Sequence, residues 1–321
     1  MDRPPATPAP IQTPVCPRCG YDLSGITGSW TDSCPIHGIC SECGLDFAWR
    51  DLLNPALAFP PWSFEHWRRL SPFKWCATNR RTWNPFRFFR IMRIEFPVAA
   101  GRLVLSIIAV LFLTHLTIAA ATAWRVYRTA SVSTTWTPPT FINGRVVPSR
   151  PTTTILPMRT VFQFYSGAIA DAAIWPYRPY LLLRSASSVV GGAEPLAGLW
   201  ALFIATFALT IPPAFLVLGE SFRRCRVRFV HLLRGLAYSL PIPAACILAG
   251  LLVNALRPPD TGALILLLTV PWLCGYWFLF VIRYLRLEHA RWVALCMLVI
   301  GGLCASIVTT CGWLLTMGRL W

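Results

Sequence analysis

Five long stretches without a charged side chain limit what this chain can fold into. Each runs for 22 or more residues without Asp, Glu, Lys or Arg, and a helix needs about 20 apolar residues to cross a bilayer. Five buried helices of that length, apolar on every side, are not typical of a soluble protein of 321 residues. The sequence therefore predicts an integral membrane protein with an all-α transmembrane bundle of about five spans. The stretches are 103–124, 195–219, 235–256, 261–282 and 292–318.

Basic residues are concentrated on one side of these predicted spans. Of the 29 Lys and Arg residues, 11 lie in residues 1–96, which contain no apolar signal segment. The connection between the second and third spans carries five more, whereas the next connection carries only Arg257. Because short cytoplasmic loops are enriched in Lys and Arg, we predict a multi-pass membrane protein with its N-terminus cytoplasmic and its C-terminus exterior. The five arginines are Arg223, Arg224, Arg226, Arg228 and Arg234.

Two Cys-x-x-Cys pairs stand near the start of the chain, and a glycine follows each. Cys16 and Cys19 form the first pair, and Cys40 and Cys43 form the second. In a reducing compartment, such pairs typically bind metal rather than form disulfides. Glycine with a positive φ relaxes the tight turn that aims both sulfurs at one point. The spacing predicts four thiolates around a structural Zn²⁺, with Fe as a minor alternative because an S₄ site suits both metals.

The segment between the two pairs contains two more candidate ligands. Cys34 and His37 belong to the run Cys-Pro-Ile-His-Gly, which has a similar knuckle-like pattern. Six candidates therefore compete for four places. Since the outer pairs have the more regular spacing, Cys34 and His37 are kept in reserve behind the four predicted ligands.

The stretch "CPRCGYDLSG … SCPIHGICSECGLDFAW … LLNP" resembles the N-terminal segment of zinc-ribbon, multi-span membrane proteins of planctomycete-type bacteria. The resemblance covers roughly residues 14 to 70. It implies a structural zinc ribbon on the cytoplasmic side of a bacterial inner membrane, and it implies no particular activity. The predicted fold class is thus a small N-terminal zinc ribbon followed by an all-α transmembrane bundle.

The run "WNPFRFFRIMRIEFP", residues 83–97, interleaves aromatic side chains with Arg87, Arg90 and Arg93. Arginines at three-residue steps predict a helix lying at the bilayer surface, with its aromatic side in the acyl boundary and its arginines towards the headgroups. We therefore expect the lipid bilayer as a partner and no nucleic acid.

The predicted regions are a disordered Pro-rich arm (1–14), the zinc ribbon (15–50), a cytoplasmic juxtamembrane segment (51–96), a first span (97–124), an exterior loop (125–194) and the remaining four spans (195–321).

The predicted exterior loop contains two patterns of its own. Asn143-Gly144 stands between β-forming residues and predicts a tight hairpin. Residues 160–175 are apolar but too short to span a bilayer, and they predict a lid or interfacial helix. In the last span, Gly301, Gly302, Ala305 and Ser306 predict a close-packing helix face.

Function is less constrained than topology. The spans lack the ionisable residues that coupled transporters keep at membrane depth, and His115 and Asn254 are the notable polar candidates. No Walker A motif, nucleophile elbow or His-Glu-x-x-His motif occurs, so no catalytic residue is predicted. We expect a membrane-anchored binding or scaffold protein whose zinc ribbon docks another protein. The alternative is a small-molecule or lipid permease, or a membrane enzyme, that uses kinked spans as its cavity; the oligomeric state is left open.

Overall fold

The structure is a computed structural model of the chain. It describes residues 13–31, 33–54, 60–66, 71–136, 140–142, 145–147, 151–155, 194–217, 226–256, 260–287 and 289–317. The chain divides into two compact units. The first comprises Met1–Ile108, Ile204–Pro243 and Leu268–Ser306, and the second comprises Ala109–Phe203, Ala244–Leu267 and Ile307–Trp321.

Residues 13–54, called the cysteine module below, form a small folded segment in the first unit. It contains helix α1 (Ser24–Gly28), strand β1 (His37–Ile39), strand β2 (Asp46–Ala48) and helix α2 (Trp49–Leu53). The two strands pair antiparallel, with Gly38 opposite Phe47. A Cβ on Gly38 would lie 2.6 Å from Trp49 Nε1, so only glycine lets this indole cover the strand. The buried apolar side chains of the module are Leu23, Leu45, Phe47 and Trp49.

The juxtamembrane segment differs from its predicted form. A 3₁₀ turn (Phe64–His66) and helix α3 (Pro72–Thr82) precede helix α4, which spans only Pro85–Ile91. The Asn84 side chain caps α4 by accepting a hydrogen bond from the backbone amide of Arg87 at 3.1 Å. Phe88 and Phe89 are buried, and the Phe89 ring lies 5.0 Å from the Tyr276 ring. The expectation that the aromatic side of this segment enters the acyl region is therefore wrong for these two residues, because they pack inside the protein.

Among the described residues, four helical stretches are long and apolar enough to cross a membrane. They are Ala100–Ala120, Phe229–Gly250, Leu264–Tyr284 and Ala290–Gly312. They belong to helices α5 (Ala100–Ser131), α7 (Phe229–Ser239) with α8 (Pro241–Leu256), α9 (Asp260–Leu279) with a π-helical turn (Phe280–Tyr284), and α10 (Ala290–Met317). Large apolar side chains such as Ile108, Phe112 and Ile307 are exposed on these helices, as bilayer contact requires. The prediction of a mainly helical membrane protein is confirmed at this level.

The second predicted span, 195–219, forms helix α6 (Glu194–Val217). Within the residues whose side chains are described, its apolar section is Trp200–Phe215, which is shorter than the four candidate spans. The count of five spans therefore stays a prediction, and so does the topology that depends on it.

The third predicted span begins earlier than its sequence indicates. Its helix starts at Phe229 rather than at 235, so Arg234 lies inside α7 and is buried. Counting Arg234 among the exposed loop charges was wrong. The helical path is interrupted at Leu240, between α7 and α8, immediately before the predicted helix-disrupting residue Pro241.

Glycine allows two pairs of helices to approach closely. A Cβ on Gly301 of α10 would lie 3.0 Å from Ile211 of α6, and Thr210 Oγ1 donates a hydrogen bond to the Gly301 carbonyl at 3.1 Å. A Cβ on Gly235 of α7 would lie 2.9 Å from the Phe280 ring. Gly301 and Ala305 are buried, as the predicted packing face requires, whereas Ser306 is exposed.

The described part of the predicted exterior loop contains four short strands. Strand β4 (Thr140–Ile142) pairs antiparallel with β5 (Arg145–Val147), and Ile142 stands opposite Arg145. This pairing agrees with the predicted hairpin, whose turn residues Asn143 and Gly144 lie outside the described residues. Strand β3 (Val132–Trp136) pairs antiparallel with β6 (Pro151–Ile155). The predicted interfacial helix at 160–175 lies outside the described residues.

Candidate metal centre

The first Cys-x-x-Cys pair sits in a tight backbone turn, called the first knuckle (residues 16–21). The Cys16 amide donates to the Tyr21 carbonyl at 2.7 Å, and the Gly20 amide donates to the Cys16 carbonyl at 2.8 Å. Gly20 has φ +79°, which only glycine adopts readily. An isolated bridge between Val15 and Asp22 closes the base of the turn.

The second pair repeats this geometry in the second knuckle (residues 40–45). The Cys40 amide donates to the Leu45 carbonyl at 3.0 Å, and the Gly44 amide donates to the Cys40 carbonyl at 2.9 Å. Gly44 has φ +67°. The spacing Cys-x-x-Cys-Gly thus produces the same hydrogen-bonded loop twice.

The two knuckles bring four sulfur atoms together. The Sγ atoms of Cys16, Cys19, Cys40 and Cys43 all lie within 4.8 Å of one another. Cys16 Sγ lies 3.6 Å from Cys43 Sγ, and Cys19 Sγ lies 3.7 Å from Cys40 Sγ. A tetrahedral zinc site with Zn–S bonds of about 2.3 Å has sulfurs separated by about 3.8 Å. The thiol positions therefore fit a tetrahedral metal ion.

The two reserve ligands lie outside this cluster. Cys34 is exposed, and its thiol points to the carbonyl of Pro35 at 3.4 Å. His37 is exposed at the start of β1, with Nδ1 3.6 Å from an Asp46 carboxylate oxygen. The structure brings the four predicted ligands together and leaves these two outside.

A hydrogen bond distinguishes two of the four thiols. It runs from the Cys16 thiol and lowers the pKa of Cys43 to about 4, and the nearby Arg18 guanidinium contributes to the same effect. The same hydrogen bond, together with burial, raises the pKa of Cys16. The lowered pKa favours the thiolate of Cys43, which is the form that binds metal.

Arg18, between the two cysteines of the first knuckle, connects the cluster to the rest of the first unit. Its side chain is only 6% exposed, and its guanidinium donates to the backbone carbonyls of Arg286 at 3.1 Å and Leu285 at 3.4 Å. It also donates to the carbonyl of Cys43. One side chain therefore joins both knuckles to the loop that follows α9.

Helix α7 makes a second connection to the first knuckle. His231 Nε2 lies 2.7 Å from the Pro17 carbonyl oxygen, and its Nδ1 lies 2.9 Å from the Tyr284 hydroxyl. A carbonyl oxygen only accepts, so Nε2 is the donor. The Arg228 amide also donates to the Arg18 carbonyl, at 3.0 Å.

Two arginines with left-handed backbone conformations contact the module, one just before α7 and one just after the π-helical turn. Arg226 has φ +48° and pairs with Glu42, while Arg286 has φ +49° and donates to the Asp46 carbonyl at 3.2 Å. Arg286 also pairs with Glu95 at 2.9 Å. Non-glycine residues persist in this conformation where surrounding contacts fix them, and here these contacts include the cysteine module.

A buried ion pair lies near the contacts between the cysteine module and α7. Arg234 and Glu65 are both about fully buried, with Arg234 Nη2 2.6 Å from Glu65 Oε2. Tyr238 donates to Glu65, and Arg234 also donates to the Tyr284 hydroxyl at 2.9 Å and to the Pro97 carbonyl at 2.8 Å. The ion pair joins the 3₁₀ turn to α7. Through the Pro97 carbonyl, Arg234 also contacts the segment that leads into α5.

Sequence reasoning missed this pair, although it left a signal. His231, Arg234 and Tyr238 recur at spacings of three and four residues, which places them along one face of a helix.

Among the predicted polar candidates in the spans, His115 is half-buried on α5, and the side chain of Asn254 lies outside the described residues. The alternative function, in which kinked spans form a cavity, therefore stays a prediction.

No family model matches the sequence, and no curated protein or solved structure is significantly similar to it. The chemistry of the four thiols therefore has to carry the functional assignment.

Proposed function

We propose that this chain is an integral membrane protein in which a structural Zn²⁺ holds the cysteine module on the membrane helices, where the module docks another protein. The sulfur geometry carries this proposal. Two of the sulfur separations, 3.6 and 3.7 Å, match the edge of a zinc tetrathiolate.

A structural role follows from the ligand count. Four thiolates complete a tetrahedral zinc site and leave no position for water or substrate, in contrast to catalytic sites with three protein ligands. Iron fits the same S₄ geometry and is the minor alternative. The contacts of Arg18 and His231 support a role for the metal in keeping the module docked.

The exposed surface of the module supports a protein partner. Ile36 and Ile39, beside and within β1, are 79% and 67% exposed. Large aliphatic side chains this exposed on a small polar module offer a surface that a partner can cover. We place this surface in the bacterial cytoplasm, because residues 1–96 carry 11 basic against 8 acidic residues, and residues 223–228 carry four basic residues and no acidic one.

Metal analysis of the purified full-length protein tests the site. We expect one equivalent of zinc per chain and none in Cys40→Ser. Cys34→Ser and His37→Ala are matched controls and should keep the full equivalent. Iron in place of zinc, recognised by elemental analysis and visible absorption, would replace the metal assignment. Unchanged zinc in Cys40→Ser would contradict the proposal.

The docking role needs its own variants. Ile36→Ser combined with Ile39→Ser should retain zinc but lose proteins that co-purify with the wild type after mild crosslinking in cells. Leu53→Ser changes another exposed aliphatic side chain of the module, 45% exposed, and should retain them. The docking role is contradicted if both variants recover the same proteins as the wild type.

A further inference from the structure

Helices α3 and α4 have an exposed face on which aromatic and basic side chains alternate. This outer face consists of Phe73, Arg80, Trp83, Phe86, Arg87 and Arg90. Phe73 is 84% exposed, Trp83 55% and Phe86 51%. The opposite side of the same helices is buried in the protein, including Thr78, Thr82, Phe88 and Phe89. The exposed aromatic side chains therefore lie on the side of the helices that does not pack in the core.

The outer face lies beside the ends of two candidate membrane helices. Trp75 of α3 donates its indole hydrogen to Ser106 Oγ of α5 at 2.8 Å. Trp272 of α9 donates its indole hydrogen to the Trp83 carbonyl at 3.1 Å. Both contacts lie within the first unit, so α3 and the turn after it flank the start of α5 and the second half of α9.

Helix length places this region at the membrane surface. Helix α5 has 32 residues, which corresponds to about 48 Å at 1.5 Å per residue. The hydrocarbon core of a bilayer is about 30 Å thick. The candidate span of α5 is Ala100–Ala120, which is about 32 Å long at this rise and matches the core, so Ala100 lies at one of its boundaries. The basic segment precedes Ala100 in the chain and therefore lies on the headgroup side of that boundary.

The charge of this segment has one sign. Residues 71–94 contain six basic residues and no acidic residue. Arg93 pairs with Asp51 at 2.8 Å, and the Arg81 guanidinium lies 4.6 Å from the Trp62 ring centroid. Arg80, Arg87 and Arg90 are exposed, and none of the described carboxylates forms an ion pair with them. Three cationic groups thus remain available at the surface.

We propose that the outer face binds the headgroups of anionic phospholipids in the leaflet on the side of the cysteine module. The guanidinium groups of Arg80, Arg87 and Arg90 donate paired hydrogen bonds to lipid phosphates. Phe73, Trp83 and Phe86 lie at the boundary between headgroups and acyl chains, where aromatic side chains are favoured. The Arg283 guanidinium, 3.8 Å from the Phe86 ring centroid, adds positive charge beside this boundary.

Lipid selectivity of the full-length protein tests this surface. The protein is reconstituted in nanodiscs of equal phosphatidylcholine and phosphatidylglycerol, and the immobilised fraction of each lipid is measured with spin-labelled probes. We expect the wild type to retain the phosphatidylglycerol probe roughly fivefold over the phosphatidylcholine probe. In Arg80→Gln/Arg87→Gln/Arg90→Gln this ratio should fall close to one. Raising the salt concentration should weaken the wild-type preference.

Two controls separate the outer face from overall charge. Arg50→Gln removes an exposed arginine from the cysteine module, and the triple Arg→Lys variant keeps all three charges; both should retain the preference. An unchanged ratio in the triple Gln variant overturns the proposal, and so does a wild type without preference, as expected if a protein covers this face. If the triple Gln variant loses its zinc or fails to fold, the three single variants are measured, and each should lower the ratio.

Discussion

The two knuckles of the cysteine module share a backbone geometry but differ in what surrounds them. In the first knuckle, Arg18 is buried and donates to carbonyls beyond α9, and Pro17 accepts from His231. In the second knuckle, Ser41 and Glu42 are exposed, Glu42 pairs with Arg226 at the surface, and the Cys43 carbonyl accepts from Arg18 of the first knuckle. A Cβ on Gly20 would meet Arg228 at 3.6 Å, whereas one on Gly44 would meet no atom within 4 Å.

This difference shows that one motif has two roles, which are positioning the thiols and docking on the helices. The cysteines and the following glycine form the turn that positions the thiols in both copies. The two residues between the cysteines decide whether the turn docks on the helices or faces solvent. Ligand chemistry is therefore shared equally between the knuckles, whereas docking depends on the first one.

The largest expected effect tests the shared task. Cys16→Ser in the first knuckle and Cys40→Ser in the second should both abolish zinc binding, since each removes one of four ligands. The metal contributes about 10–16 kcal/mol to folding of comparable small sites. Metal content of the full-length variants, measured by elemental analysis, checks this. Retention of zinc by only one variant would show that the knuckles do not contribute equally to one site.

A smaller effect should separate the knuckles by docking. Arg18→Ala removes hydrogen bonds from a buried guanidinium to three carbonyls, and we expect a loss of about 3 kcal/mol in the free energy that holds the module on the helices. Glu42→Gln disrupts an exposed pair and should cost under about 1 kcal/mol. Hydrogen exchange of the Arg228 amide, which donates to the Arg18 carbonyl, reports on docking. Exchange should be much faster in Arg18→Ala while zinc is retained; equal exchange in both variants would contradict the division of tasks.

The smallest effect concerns the two glycines. Gly20→Ala and Gly44→Ala each place a side chain at positive φ, which costs about 1–2 kcal/mol. Because the space around both Cβ positions is sufficient, the two losses should be similar. Zinc affinity measured by competition with a chromophoric chelator should fall about tenfold in each. A much larger loss for Gly20→Ala would show that docking also restrains the first turn.

The metal cluster was accessible from the sequence because its determinants are local. Cys-x-x-Cys-Gly sets the turn within six residues, and the four-sulfur cluster follows once two such turns meet. The long helices were equally accessible, since their apolar length is a property of each segment alone.

The docking contacts and the buried ion pair were not accessible in this way. Glu65 and Arg234 are 169 residues apart in the chain, and each is an ordinary polar residue in its own segment. A charge next to an apolar stretch is typical of a loop, so Arg234 marked a span boundary rather than a helix interior. Phe88 and Phe89 misled for a related reason: the sequence shows that they are apolar, but not whether lipid or protein covers them.

The contacts of Arg18 have a consequence for how the protein is made. Arg18 and Leu285 are separated by 267 residues, so at about 5–20 residues per second the ribosome needs roughly 10 to 50 seconds to reach the second after the first. All of α5 and α6 is synthesised within that interval. Glu65 is likewise synthesised 169 residues before its partner Arg234. The cysteine module therefore emerges well before the helices that receive it, so the four cysteines are available to bind the proposed zinc while the module is a tethered, undocked segment.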